Sequence, residues 1–231
     1  MSALHDPTHP EIRPLRCLIA LTGAAGAGKD TCARLLEPLG FRALAFADPL
    51  RAEVHAAFGI DPVALTHTYQ KEQPITQLAI HRCTDGAFVS AMYLEGHDLE
   101  APRSPRWILQ RWGTEYRRKQ APNYWTNKLL HRVIDDRANG HGAHVITDLR
   151  FENEADTVRS LAGRVLRVYR PDAPQLRADT GAHASEHAQI TEHAVVHNCG
   201  NLEHLHEELM RVITTVGVWS FPSGHVGWVR A

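Results

Sequence analysis

Residues 16–36 read Arg16-Cys-Leu-Ile-Ala-Leu-Thr22, then Gly23-Ala-Ala-Gly26-Ala27-Gly28-Lys29-Asp30-Thr31, then Cys32-Ala-Arg-Leu-Leu36. An apolar run of strand length enters a glycine-rich turn, and Ala33, Leu35, Leu36 and Leu39 beyond it have the spacing of a helix buried on one face. Glycines at 23, 26 and 28 allow positive φ and let successive N–H groups turn toward one anion. A helix opening near Lys29 adds unpaired N–H groups and the positive end of its dipole, and the Lys29 ammonium can reach β- and γ-phosphates. The spacing Gly23-x4-Gly28-Lys29, set between strand and helix, is that of a phosphate-binding loop. In the usual pattern a Ser or Thr follows the lysine and binds Mg²⁺ through its hydroxyl. Here Asp30 intervenes and the hydroxyl comes at Thr31, so either residue is a candidate metal ligand.

Outward from the loop, Gly40 is a helix stop and Arg42 to Phe46 a second short strand. Asp48-Pro49-Leu50-Arg51 opens a helix, with Asp48 as N-cap and Pro49 at the first helical position. Asp48 is therefore either a cap or a carboxylate at the carboxyl end of a strand, the edge where open α/β sheets bind ligands. From Asp61 to Pro105 the pattern weakens to short helical pieces, Val63 to Tyr69, Thr76 to His81 and Ala87 to Leu94, either a loose insertion or, the favoured reading, a lid and substrate-binding segment. Ser104-Pro105 begins a helix expected to run through Arg106, Trp107, Leu109, Gln110 and Trp112 to a turn at Gly113-Thr114. Arg103, Arg106, Arg111, Arg117, Arg118 and Lys119 crowd this region, either for anion recognition or as a solvated helical face. Trp125, Leu129 and Val133 recur at helical spacing, so Trp125 is a core residue or a pocket wall.

His144 to Thr147 is a third strand ending at Asp148, with Leu149-Arg150 after it and a helix from Phe151 that Gly163 terminates. A carboxylate at such a strand tip, behind a phosphate loop, is placed to orient Mg²⁺, and Arg150 can meet phosphate as a planar fork. Arg164 to Tyr169 and Ala194 to His197 complete the strands, and Leu202, Leu205, Leu209, Val212, Ile213 and Val216 form one face of a closing helix. Alternating strands and helices predict an α/β fold: a parallel sheet of about five strands with helices on both faces.

With 231 residues, 43% apolar content and a formal charge of −1, the chain can bury a sizeable core and lacks the basic excess of a general nucleic-acid or membrane-surface binder. No apolar stretch approaches the ~20 residues of a membrane span, and residues 1–15 have no signal-peptide core, so a cytoplasmic protein with a disordered N-terminal arm is expected. Cys17, Cys32, Cys83 and Cys199 show no paired spacing and are expected reduced. The pairs His183/His187 and His193/His197 have the spacing that can share a metal on a helix, but are read as solvated surface histidines.

Several of these segments together resemble the bacteriophage-type deoxynucleoside monophosphate kinases of the P-loop kinase superfamily. They are Gly-Lys-Asp-Thr (28–31), Phe-Ala-Asp-Pro-Leu-Arg (46–51), Leu-Gln-Arg-Trp-Gly-Thr-Glu (109–115), Tyr-Trp (124–125), Thr-Asp-Leu-Arg-Phe-Glu-Asn-Glu-Ala (147–155), Tyr-Arg-Pro (169–171), His-Ala-Ser-Glu (183–186) and Asn-Cys-Gly-Asn-Leu (198–202). The resemblance implies transfer of the ATP γ-phosphoryl group to a deoxynucleoside monophosphate, with Mg²⁺ as cofactor, no nucleic-acid partner and a homodimeric assembly. It implies ATP binding by Gly26, Ala27, Gly28, Lys29, Asp30, Thr31, Arg170, Gly200 and Asn201. It implies acceptor binding by Leu50, Arg51, Arg106, Gln110, Thr114, Trp125, Arg150 and Glu186, and catalytic roles for Lys29, Asp148, Arg150 and, as base, Asp48. The kinase domain would span 16–216, with an acceptor-binding region near 50–125, a lid near 171–190 and a C-terminal tail, 217–231, of no assigned role. A kinase acting on another acceptor such as dephospho-coenzyme A, or a nucleotide-binding regulatory ATPase module, shares the loop and stays open at this level.

Overall fold

The computed structural model describes residues 17–66, 71–173 and 190–218. In chain order the elements are β1 (Cys17–Thr22), α1 (Lys29–Leu36), β2 (Arg42–Leu44), α2 (Ala47–Phe58), α3 (Pro62–Thr66), α4 (Gly86–Leu94) and α5 (Pro105–Gln110). They continue with α6 (Tyr124–Ala138), β3 (Ala143–Ile146), α7 (Glu152–Ser160), β4 (Arg164–Tyr169), β5 (Ala194–His197) and α8 (Leu202–Thr215). The described residues of Met1–Leu44 and Val133–Ala231 form one compact unit, and those of Ala45–Arg132 form another.

The first unit is built on a five-stranded sheet in the order β2-β3-β1-β4-β5, with every pair parallel. Alternation along β1 divides the two faces. Cys17, Ile19 and Leu21 join the core formed with Cys32 and Leu36 of α1 and Leu205, Leu209 and Ile213 of α8, while Leu18 lies on the side where α7 ends. This is the α/β three-layer fold of P-loop proteins, as the strand–loop–helix pattern predicts. Because all strands run the same way, the loops after β1, β3, β4 and β5 leave from one edge. The chain turns left from β1 to β2 and right from β3 to β4, so the crevice between β1 and β3 is the topological switch point where such sheets bind ligands.

The second unit is helical. Its core joins Val54 and Phe58 of α2 to Phe88 and Met92 of α4, Ile108 of α5, and Trp112, Tyr116 and Trp125. Phe88, Trp112 and Tyr116 form a mutual cluster, with the Phe88 ring centroid 4.7 Å from that of Trp112 and 5.4 Å from that of Tyr116.

Several local expectations need correction. The second strand stops at Leu44, and α2 begins at Ala47, so Asp48 and Pro49 lie inside its first turn rather than at the cap and first position. Asp48 still serves the helix start by reaching back, its Oδ2 accepting the Ala45 N–H at 2.8 Å. The helix from Pro105 does not end at Gly113-Thr114 but continues as a π-helical segment, Arg111–Arg118. Buried Trp112 and Tyr116 carry the apolar stripe through it, and Gly113 lacks the Cβ that would stand 3.1 Å from Leu50 Cδ2. After α7 the left-handed residue is Ala162, at φ 59°, and not Gly163. Leu202 is exposed at the first position of α8, which Asn201 caps. Residues 1–15, most of the expected lid with Glu186, His183 and His187, and positions 219–231 lie outside the described residues. Among those described, no helix is long and apolar enough to cross a membrane.

Candidate active site

The loop from Gly23 to Gly28 joins β1 to α1, and its glycines meet two demands. Gly23, at φ 132°, lies where a Cβ would come within 2.3 Å of the Val168 carbonyl oxygen. Gly28, at φ 106°, lies where a Cβ would come within 2.6 Å of Asn198 Nδ2. Four of the loop's carbonyls are engaged. Lys29 Nζ donates to the oxygens of Gly23 and Ala24, both at 2.8 Å, Asn198 Nδ2 donates to that of Ala27 at 2.9 Å, and the Cys32 N–H donates to that of Gly28 at 2.9 Å. The N–H groups of Gly26, Gly28, Lys29, Asp30 and Thr31 have no acceptor among the described residues. Five donors without acceptors at the N-terminus of a helix form an anion nest.

Burial first, and then the Arg150 charge, hold the Lys29 ammonium below its ordinary pKa of 10.5, while Asp30 and Asp148 oppose the shift. The charges of Asp148 and Arg150 thus register at Lys29. The turn after β3 carries both residues, and Glu154 fixes it. That buried carboxylate, 2% exposed, accepts the N–H groups of Arg150 at 2.8 Å and Phe151 at 3.1 Å through Oε2. Arg150 itself is exposed. Lys29, Asp30, Thr31, Asp148 and Arg150 therefore gather at the switch point. Arg170 follows β4 on the same edge and is exposed. Asn201 Oδ1 caps α8 by accepting the His204 N–H at 2.9 Å, and Gly200 lies against the His204 side chain.

In the helical unit, Leu50 lies against Gly113, and Trp125, 3% exposed, donates from Nε1 to the Gly113 carbonyl at 2.9 Å. Three segments carrying predicted acceptor residues thus meet at one glycine, and Trp125 takes the core option. Thr114 is exposed and Gln110 half-buried. Arg51 is paired with Asp48 at 3.0 Å, and Arg106 with Glu72. The arginine cluster is not a uniformly solvated face. Arg117 bridges Glu53 at 3.0 Å and Asp85 at 3.1 Å, and Arg111 pairs with Glu115.

Sequence reasoning missed the acids that organise these cations. Glu53, 17% exposed, receives Trp112 Nε1 at 2.9 Å, Arg117 Nε at 3.0 Å, Lys128 Nζ at 3.1 Å and the Tyr124 hydroxyl. Burial acts to raise its pKa, but hydrogen bonds from Tyr124, Trp112, Lys128 and Arg117 outweigh it and hold the carboxyl below its ordinary 4.5. Asp85 caps α4 and also accepts from Tyr116. No spacing rule points to Glu53, whose partners Trp112, Arg117 and Tyr124 lie 59, 64 and 71 residues downstream, with Lys128 beyond them. Glu154 could have been found by a local rule, as an acid at the third position of a helix. The cysteines are free and three are buried, with Cys32 pushed up to about 12 chiefly by burial. His193 and His197 flank and end a strand, not a helix, and His193 Nδ1 accepts the Val165 N–H at 3.0 Å.

Loop, sheet order and switch-point charges define a P-loop phosphotransferase. Residues 64–209 match the family model for deoxynucleotide monophosphate kinase. A protein of Acanthamoeba polyphaga mimivirus, provisionally named a deoxynucleotide monophosphate kinase, is 31% identical over 167 residues, spanning 67% of this chain and 74% of the relative. The chain belongs to the deoxynucleotide monophosphate kinase family, and it is a nucleotide kinase. Among solved structures, TT1252 from Thermus thermophilus is similar at 20% identity, covering 86% of this chain and 97% of its own, with a TM-score of 0.49. Dephospho-CoA kinase from Campylobacter jejuni is similar at 16% identity, covering 86% of this chain and 96% of its own, with a TM-score of 0.43. At such scores neither likeness discriminates between acceptors.

Proposed function

We propose that the protein transfers the γ-phosphoryl group of ATP to a deoxynucleoside 5′-monophosphate, releasing ADP and the deoxynucleoside diphosphate. The observation that carries this is the nest formed by the N–H groups of Gly26, Gly28, Lys29, Asp30 and Thr31, which have no acceptor among the described residues, beside Lys29, Asp148 and Arg150 in a chain of this family.

In this reading the nest and Lys29 hold the ATP phosphates, and Lys29 exchanges its two loop carbonyls for phosphate oxygens. Partial burial makes that exchange favourable, because a desolvated ammonium gains more from an anion than from neutral carbonyls. An oxygen of the acceptor phosphate attacks the γ-phosphorus as the bond to the β–γ bridging oxygen breaks, and ADP leaves. Arg150 neutralises charge on the transferring group, and Arg51 and Arg106 bind the acceptor phosphate, Arg106 leaving Glu72 to do so. Leu50, Gln110 and Thr114 shape the acceptor pocket, buried Trp125 supports it from behind through its hydrogen bond to Gly113, and Glu186 is a further contact. A phosphate monoester needs no strong base near neutral pH, and both Asp48 oxygens are engaged, so Asp48 is better read as the residue that orients Arg51.

For Mg²⁺, the donor set fits. Magnesium takes one or two protein oxygens and completes its shell from phosphates and water, and Asp30, Thr31 and Asp148 supply hard oxygen donors beside the nest. When bound, the ion neutralises charge on the β- and γ-phosphates. Arg170 lies on the donor edge for the phosphates. The Asn201 side chain is committed to capping α8, so the Gly200-Asn201 segment would approach adenine through its main chain.

The test is a coupled assay with ATP and Mg²⁺ across deoxynucleoside monophosphates, ribonucleoside monophosphates and dephospho-coenzyme A. Acceptor-dependent ADP release with a deoxynucleoside monophosphate supports the reading. Turnover only with dephospho-coenzyme A, or ATP hydrolysis indifferent to every acceptor, refutes it.

A further inference from the structure

Among the groups that hold the phosphate loop, Asn198 has no part in the reading above. It lies 171 residues from Ala27, whose carbonyl oxygen its Nδ2 engages at 2.9 Å. Its own N–H donates to the Tyr169 carbonyl at 2.7 Å, prolonging the β4–β5 ladder by a residue, so the side chain projects from a fixed point on the sheet. The Lys29 contacts to Gly23 and Ala24 are of another kind, since the proposed chemistry moves Lys29 onto phosphate.

The peptide linking Ala27 to Gly28 is planar and trans, so its carbonyl and its N–H point in opposite directions. Fixing the Ala27 oxygen therefore fixes the Gly28 N–H. Gly28, at φ 106°, has the freedom to let that peptide rotate, and rotation would turn a carbonyl dipole toward the bound anion. Asn198 also fills the space beside Gly28, where a Cβ would stand 2.6 Å from Nδ2.

We propose that Asn198 is a positioning residue for the donor nucleotide: a strut from the end of β5 that holds the Ala27 carbonyl away from the phosphates and aims the Gly28 N–H at them. The proposal rests on the ATP-site reading. It makes the loop after β5 part of the phosphate site.

Two variants test it, with ATP binding measured by titration calorimetry and the Michaelis constants for ATP and the deoxynucleoside monophosphate measured separately. Asn198→Ala removes the donor and should weaken ATP binding about tenfold. Asn198→Asp keeps the shape but faces the Ala27 carbonyl with a carboxylate and adds negative charge beside the nest, so the loss should be larger, about a hundredfold. The acceptor Michaelis constant should stay within about twofold in both, a split that simple loss of fold does not produce. Folded variants that bind ATP within about twofold of the unaltered protein overturn the proposal. Should the Ala variant fail to fold, the isosteric Asp variant decides alone. If the unaltered protein binds no ATP, the ATP-site reading itself falls, and the strut with it.

Discussion

The sheet unit and the helical unit deploy charge in opposite ways. At the sheet's carboxyl edge the donors aimed at a ligand are main-chain N–H groups left without acceptors, and one lysine is parked on neutral carbonyls that it can leave. In the helical unit four arginines are already met by carboxylates, Arg117 by Glu53 and Asp85, Arg106 by Glu72, Arg111 by Glu115 and Arg51 by Asp48. One region is preorganised for an anion, whereas these arginines of the other already have internal partners. Ligand affinity should therefore be concentrated in the first and selectivity in the second.

The largest expected effect tests the preorganised side. Replacing Lys29 by Ala removes the one mobile cation of the nest and should lower kcat by about a thousandfold, with the melting temperature little changed because Nζ contacts only loop carbonyls. Steady-state kinetics and a thermal melt check both halves. Near-normal turnover in the variant would erase the distinction between the regions.

This contrast also explains what the chain betrays of itself before folding. Local features survive reading: the Gly23-to-Lys29 spacing and the apolar run of β1 each act within a few residues. The sheet and its nest were legible for that reason. Glu53 and Asn198 act across 59 and 171 residues respectively, and their side chains alone do not distinguish them from any surface Glu or turn Asn. The π-helical segment escaped because Gly113-Thr114 looks like a turn, and only the contact with Leu50 and the Trp125 hydrogen bond make a buried glycine useful there.

Glu53 offers the next test, on the helical side. Glu53→Ala strands Arg117 and Lys128 and leaves two aromatic donors without their acceptor, so stability should fall by about 3 kcal/mol in a denaturant titration. Glu53→Gln keeps the shape and should cost less. The sign of the pH effect follows from the lowered pKa. The folded carboxylate titrates below its ordinary 4.5, so its stabilisation is present above that value and is lost as pH falls through 4.5 toward the folded pKa. The stability of Glu53→Gln relative to the unaltered protein should therefore improve on acidification through that window. A constant difference down to the acid limb would show that the carboxylate's charge is not what holds the aromatic and cationic donors together.

The smallest effects sharpen the comparison within the sheet unit, at two adjacent residues that look interchangeable in sequence. Gly163 was readable as a helix stop, but positive φ is found at Ala162, 59°, and Gly163 is needed for proximity. A Cβ on Gly163 would stand 2.7 Å from Val158 Cγ1, 2.8 Å from the Val158 carbonyl oxygen and 3.1 Å from Leu18 Cγ. The carbonyl belongs to the last turns of α7 and Leu18 to the central strand, so neither yields easily, and Gly163→Ala should cost about 2 kcal/mol. Ala162→Gly should do the reverse. It relieves a left-handed alanine at the cost of a more flexible unfolded chain, for a net gain of about 0.5 kcal/mol. Chemical denaturation of the two single variants measures both, and neither should alter ATP affinity, since both positions lie at the amino end of β4 while the nest lies at the carboxyl edge. If instead Gly163→Ala were neutral and Ala162→Gly destabilising, the turn would owe its form to backbone freedom at Gly163, as its sequence first suggests, and the close approach of α7 to β1 would not be what selects glycine.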